Sequence, residues 1–279
     1  MTDYTNTIAI TGAGSGFGAA IARHYAACGW RVAISDIDLA RAENTLKSLA
    51  REFPGFKGFA FRLDVTSNEE WSGFSDRIAE EWGGLTVLVN NAGVATGGNL
   101  EDTPLEDWDW VINIDLMGVV RGCKQFISLF KHQGDGHIVN ISSFAGIAGA
   151  PDIVSYGVAK AGVIALSEAL RAELTAFGVG VTVVCPAFVK TDLLSTFRSP
   201  EAADKARVTR WMENSKVTVE DVARQISVAV ETNKFLLLTH KNTRRYWWLK
   251  RWLPETYFKI MQKAIVKKEQ RLAAKEDEK

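Results

Sequence analysis

Tyr156 and Lys160 stand four residues apart in Tyr156-Gly157-Val158-Ala159-Lys160, inside a long apolar stretch. At that spacing two residues share a helix face, so a phenol and an ammonium can enter one site. A phenol ordinarily ionises near pH ~10, and a neighbouring cation favours the phenolate, which brings it towards a range useful for proton transfer. Ser143, earlier in the chain and just past an apolar run, can hydrogen-bond a substrate oxygen. Tyr and Lys at this spacing are more often a surface pair than a catalyst, so the elements around them must decide.

A second constellation opens the chain. An apolar run leads into Thr11-Gly12-Ala13-Gly14-Ser15-Gly16-Phe17-Gly18, followed by a helical pattern. Glycines there let the backbone turn sharply and let a pyrophosphate approach, while the helix N-terminus offers unpaired N–H groups to the phosphates. Asp36 closes the next apolar run and is placed to accept hydrogen bonds from ribose hydroxyls and to repel a 2′-phosphate. Ser15 and Ile37 supply no cation for that phosphate, so NAD(H) is favoured over NADP(H). The plain alternative is a solvated acid at a strand end.

Short apolar runs recur at Thr7–Thr11, Arg31–Ser35, Gly58–Leu63, Thr86–Val89, His137–Ile141, Val179–Cys185 and Phe235–Leu238. Helical patterns lie between them, among them Gly16–Cys28, Leu39–Glu52, Glu69–Trp82 and Ile153–Phe177. Strands this short and apolar are buried on both faces. The alternation predicts an α/β fold, a doubly wound parallel sheet of about seven strands with helices on both faces. Residues 1–240 read as one catalytic domain and 241–279 as an extension.

The 279 residues carry 33 basic and 33 acidic side chains and are 47% hydrophobic, which excludes global disorder and a generally basic, nucleic-acid-binding surface. Cys28, Cys123 and Cys185 are far apart and read as buried small hydrophobes. The four histidines have no metal-ligand spacing, and no metal site is expected. An apolar strand pattern begins by Thr7 with no charged leader, and no window reaches bilayer-spanning length; a cytoplasmic protein is expected.

Taken together, the Thr11–Gly18 loop, Asp64-Val65, Asn90-Asn91-Ala92-Gly93, Ser143, Tyr156 with Lys160, and Pro186 to Thr191 resemble, in this order, the short-chain dehydrogenase/reductase family. The resemblance covers roughly residues 5 to 240. It implies a Rossmann-type domain that moves hydride between a nicotinamide and an alcohol or carbonyl carbon. It also implies that Tyr156 is the acid–base, Lys160 lowers its pKa and holds the ribose, and Ser143 polarises the substrate oxygen. By the same resemblance Gly12, Ser15, Gly16, Phe17, Gly18 and Asp36 hold the dinucleotide. Asp64 and Val65 contact adenine, Asn91, Ala92 and Gly93 line the cleft, Pro186 contacts the cofactor, and Val189 and Thr191 hold the nicotinamide amide. Two positions depart from the pattern. Where the family has a proton-relay Asn, this chain has Asp115, in Asp115-Leu116-Met117-Gly118, and Asn113 lies two residues off register. Pro186-Ala187 stands where Pro-Gly is usual.

Residues 191–217 correspond to the family's variable substrate lid, and Leu193, Leu194, Phe197, Trp211 and Met212 suggest an apolar substrate wall or packing against the core. The expected activity is oxidation of a small hydrophobic secondary alcohol or reduction of its ketone, in a homodimer or homotetramer. The alternatives are a catalytically weak NAD-binding sensor and a membrane-surface binding module. The stretch 241–268 carries nine basic residues against Glu255 alone, with Tyr246, Trp247, Trp248, Trp252, Tyr257 and Phe258 among them. It reads either as a segment that docks on the domain or another subunit, or as one that makes peripheral contact with the inner face of a membrane.

Overall fold

The structure, a computed structural model, describes residues 4–200 and 202–276. Residues 277–279, the end of the extension marked out by the sequence, lie outside them. Among the described residues seven strands form one sheet: β1 (Thr7–Thr11), β2 (Arg31–Asp36), β3 (Gly58–Arg62), β4 (Val87–Asn90), β5 (Gly136–Ile141), β6 (Val179–Cys185) and β7 (Leu236–Leu238). Every pairing is parallel, in the order β3-β2-β1-β4-β5-β6-β7. The winding direction reverses between β1 and β4, and the crevice beyond the carboxyl ends of those strands is where such a sheet takes a ligand.

The helices are α1 (Gly16–Ala27), α2 (Leu39–Glu52), α3 (Asn68–Trp82), α4 (Leu105–Ile112), α5 (Gly118–Gln133), α6 (Ala145–Ala148), α7 (Val154–Leu174), α8 (Ala202–Glu213), α9 (Val219–Glu231), α10 (Lys241–Trp252) and α11 (Pro254–Glu276). Strand side chains alternate between two cores, as the period of two requires. Ile8, Ile10, Val87 and Val89 face one core with Ile21 of α1, Leu49 of α2 and Ile226 of α9. Ala9, Leu88 and Ile138 face the other with Trp71 and Phe74 of α3, Phe126 of α5 and Val163 of α7. The edge strands β3 and β7 are only partly buried, because each lacks a neighbour on one side. Cys123 and Cys185 are buried, but Cys28 is exposed, which corrects the expectation for it: it follows the last turn of α1 and faces out of the fold.

The chain divides into two compact units, Met1–Thr239 and His240–Lys279. The second holds α10 and α11. Among the described residues no helix is long and apolar enough to cross a membrane, and no cluster of three or more His, Cys, Asp or Glu could hold a metal.

His137 on β5 shows how the sheet handles a buried polar group. Its Nε2 lies 2.8 Å from Thr182 Oγ1, and that hydroxyl donates to Lys234 O at 2.8 Å. With the hydroxyl proton so committed, Nε2 must be the donor, and it is burial that favours the neutral ring over the charged one. Burial lowers its pKa from 6.5 to about 4. A base whose folded pKa is depressed takes up protons in the unfolded chain first, so stability falls as pH drops through this window. We expect the wild-type denaturant midpoint to fall more steeply than that of His137→Gln from pH 6.5 to about 4. The differential is on the order of 2–3 kcal/mol, and equal slopes would refute the assignment.

Candidate active site

The dinucleotide end is built from backbone. Gly12 has φ +62°, and a Cβ on it would come within 2.9 Å of Ala92 Cα. A Cβ on Gly18 would lie 2.3 Å from Gly12 O, so only glycine lets α1 sit this close to the loop. Ser15 occupies the N-cap of α1 without a side-chain capping bond, and the first turn has no acid. Its amides and the positive end of the helix dipole therefore remain available to phosphate.

Thr11 Oγ1 accepts from the amides of Asn91 and Ala92, both at 2.9 Å, while Asn91 Nδ2 donates to Thr11 O at 2.8 Å and Gly12 O at 3.1 Å. The loop after β4 is thereby locked to the loop after β1. Asp36, buried at the end of β2, accepts from the amides of Gly14 and Asp38 at 3.0 and 3.1 Å. Asp64 Oδ1 accepts from the amide and hydroxyl of Thr66, at 2.9 and 2.7 Å. These residues fit a dinucleotide: a glycine cradle, uncapped amides at one end and a fixed carboxylate at the other.

The proton-transfer end hangs on α7. Lys160 is 4% exposed and its Nζ donates to Ile141 O at 3.1 Å. Asp115 is fully buried; its Oδ1 accepts from the amide of Val94 at 2.8 Å, and its Oδ2 lies 3.1 Å from Lys160 Nζ. Asp115 reaches this place because the helix widens to a π turn over Asn113–Met117, between α4 and α5. Asn113 is on the outer face, bonded to Arg121 at 2.9 Å, as its register implied.

Lys160 Nζ is 5.8 Å from the centre of the Tyr156 ring, and both Lys160 and Ser143 act on the phenol to favour its ionised form. Ser143 Oγ also accepts from the Ala145 amide at 3.1 Å. Lys160 lowers the phenol's pKa, as expected, but stronger effects oppose it. Burial raises it, Lys160 and Ser143 lower it, the Asp115 charge raises it again, and the net direction is up. Burial likewise raises the Asp115 carboxyl against the pull of Lys160 and the Val94 amide. For Lys160, burial opposes the charge, but Asp115 and Tyr156 outweigh it and the pKa rises.

One cavity of about 650 Å³ joins the two ends. Every candidate residue named from the sequence lines it except Gly18, which sits behind the loop. The lid residues Leu193, Leu194, Phe197, Trp211 and Met212 line it too, on a short 3-10 turn at Asp192–Thr196, on the segment after it and on α8. Phe188 packs against Trp211 with ring centres 5.0 Å apart. Phe144, Phe188 and Arg41 are lining residues that the sequence pattern does not single out. Arg41, on the first turn of α2, matters most, because it brings a cation to the Asp36 end, with its Nε 3.5 Å from Asp38 Oδ2. The signal was a basic residue five positions after Asp36, one helical turn beyond the positions a strand-end motif covers.

Comparison with known proteins identifies the family and the fold. The family model for short chain dehydrogenase matches residues 6–202. The probable oxidoreductase EphD of Mycobacterium tuberculosis is 40% identical over 198 residues, which are 69% of this chain but only 33% of EphD; the chain thus spans about a third of that relative. The 3-oxoacyl-[acyl-carrier-protein] reductase FabG of Thermotoga maritima is 34% identical over 219 residues, 78% of this chain and 87% of that one. A short chain dehydrogenase/reductase from Burkholderia phymatum, solved in complex with NAD, superposes with a TM-score of 0.83 at 31% identity, covering 90% of this chain and 95% of that one. The chain belongs to the short-chain dehydrogenase/reductase family and has a Rossmann-like fold.

Proposed function

We propose that this short-chain dehydrogenase interconverts a hydrophobic secondary alcohol and its ketone with NAD(H), using Tyr156 as the acid–base. One observation carries the reading: Tyr156, Ser143 and the Lys160–Asp115 pair meet in a single cavity, between a dinucleotide cradle and an apolar lid. A bound nicotinamide dinucleotide supplies the two-electron chemistry, taking up or giving hydride at the carbon that bears the oxygen. Gly12, Ser15, Gly16 and Asp36 hold its phosphates and ribose, and Val189 and Thr191 its amide.

In the oxidative direction Tyr156 takes the alcohol proton onto its phenolate oxygen, and in the reductive direction its hydroxyl returns that proton. Ser143 donates to the substrate oxygen and holds it beside the phenol. Lys160, fixed by Ile141 O and Asp115, stabilises the phenolate electrostatically. Leu193, Leu194, Phe197 and Trp211 give the lid an apolar wall, which favours an apolar group beside the reacting carbon.

Asp115 sets how far the phenol is acidified. Its carboxylate offsets part of the ammonium charge that favours phenolate, and so holds the Tyr156 pKa up. In Asp115→Asn an amide oxygen still accepts the Val94 amide, while the negative charge is gone. The acidic limb of the pH profile for alcohol oxidation then moves to lower pH, by about one unit. An unmoved limb would mean that the carboxyl is already protonated in the working enzyme.

Tyr156→Phe removes the proton carrier and keeps the ring, so turnover drops by about 10²- to 10⁴-fold while NADH affinity, read by fluorescence titration, stays within about twofold. Substantial residual turnover would reassign the acid–base. For the cofactor, Asp36 repels a 2′-phosphate while Arg41, engaged by Asp38, does not reverse that preference. Asp36→Ser lowers the NAD-to-NADP ratio of kcat/KM by roughly tenfold to hundredfold, measured at the nicotinamide absorbance. An unchanged ratio would remove Asp36 from cofactor selection.

A further inference from the structure

The charge of this chain is unevenly placed. Residues 1–240 hold 21 basic and 28 acidic side chains, whereas 241–268 hold nine basic residues and one acid. Within α10 there is no acid at all. Lys241, Arg244, Arg245, Trp248 and Trp252 recur at helical spacing along that helix, and all five are exposed. Cations stand in its first turns and again, as Lys250 and Arg251, in its last, where the indoles also lie.

The indoles form a defined feature. Trp248 and Trp252 stack with ring centres 6.1 Å apart and planes 9° from parallel. They are 50% and 67% exposed, and Leu253, at the break before α11, is 56% exposed. On α11 Phe258, Ile260 and Val266 are exposed as well. Large apolar side chains grouped at an elbow, beside a cationic helix, mark a surface that meets an apolar phase.

We propose that the α10–α11 elbow is a peripheral membrane anchor for an anionic phospholipid surface, in which Trp248, Trp252 and Leu253 enter the headgroup–acyl boundary and Lys241, Arg244 and Arg245 engage lipid phosphates. Tryptophan prefers that boundary because its ring is apolar and its N–H remains solvated. The cations add long-range attraction to an anionic leaflet. Nucleic acid fits less well, because aliphatic Leu253, Ile260 and Val266 offer bases no hydrogen bonds and no stacking plane. A second tail is disfavoured because two such segments repel. This surface is independent of the chemistry proposed for the cleft.

The test is co-sedimentation of the full chain with vesicles of phosphatidylcholine, alone or mixed with phosphatidylglycerol. We expect binding to the mixed vesicles only, weakening with salt, with a blue shift of tryptophan emission. The triple variant Trp248→Ser, Trp252→Ser, Leu253→Ser and the double variant Arg244→Glu, Arg245→Glu should each lower partitioning by about tenfold or more. Turnover of a water-soluble alcohol should be retained in both, which separates this inference from the catalytic one. Absence of binding to anionic vesicles overturns the proposal, as does binding that the triple variant leaves unchanged. So does a triple variant that lowers the assembly's mass by light scattering while neither protein binds lipid, since the elbow is then a subunit contact.

Discussion

An ammonium and a carboxylate are sealed from water at the carboxyl edge of this sheet, and the surrounding geometry must keep them together. Lys160 is 4% exposed and Asp115 not at all. Taking two such ions out of water costs several kcal/mol each, and removing one partner alone is worse, about 3–5 kcal/mol, because the other charge is stranded. The fold therefore supplies more than the pair. Ile141 O receives the ammonium from β5, and the Val94 amide reaches the carboxylate from the segment after β4. Helix α7, the two strand ends and the π turn at Asn113–Met117 are all needed at one point. A site on several rigid elements is held more precisely than one on a loop.

The same pair governs the proton chemistry above it. A lone buried lysine would press the phenol strongly towards phenolate, and burial of the phenol would press it back. Asp115 moves the balance again by offsetting part of the ammonium charge. The direction of the phenol's pKa is thus a difference between large opposed effects. Burial and the Asp115 charge together outweigh Lys160 and Ser143, and hold the phenol's pKa above its ordinary value.

Much of this was legible in the sequence because period and glycine placement leave few alternatives. All seven apolar runs became strands within a residue or so of their expected ends, since a strand buried on both faces has to be continuously apolar. The glycine loop, Asp36 and the Tyr156–Lys160 spacing are local features, and local features survive in one dimension. What escaped was relational. The π turn that carries Asp115 inward has no compositional mark, and Arg41 reaches the cleft only because α2 starts where it does. Cys28 looked like any small hydrophobe until the end of α1 left it outside. The sign of the Tyr156 shift depended on how deeply the cavity buries it, which no spacing encodes.

A formal charge of zero conceals two opposite fields, an acidic body over 1–240 and a cationic tail over 241–268. That separation bears on how an apolar substrate would reach the cleft. A secondary alcohol large enough to fill a wall of Leu193, Leu194, Phe197 and Trp211 partitions into lipid, so its concentration in bulk water is low. An enzyme free in solution would then meet little of it, whereas one held at a leaflet by exposed indoles and arginines would draw on the membrane pool. The acidic body is repelled by the same anionic leaflet that attracts the tail. An attachment of that kind would be weak, reversible and sensitive to salt, which would suit a protein that also exchanged a charged, water-soluble dinucleotide with the solution.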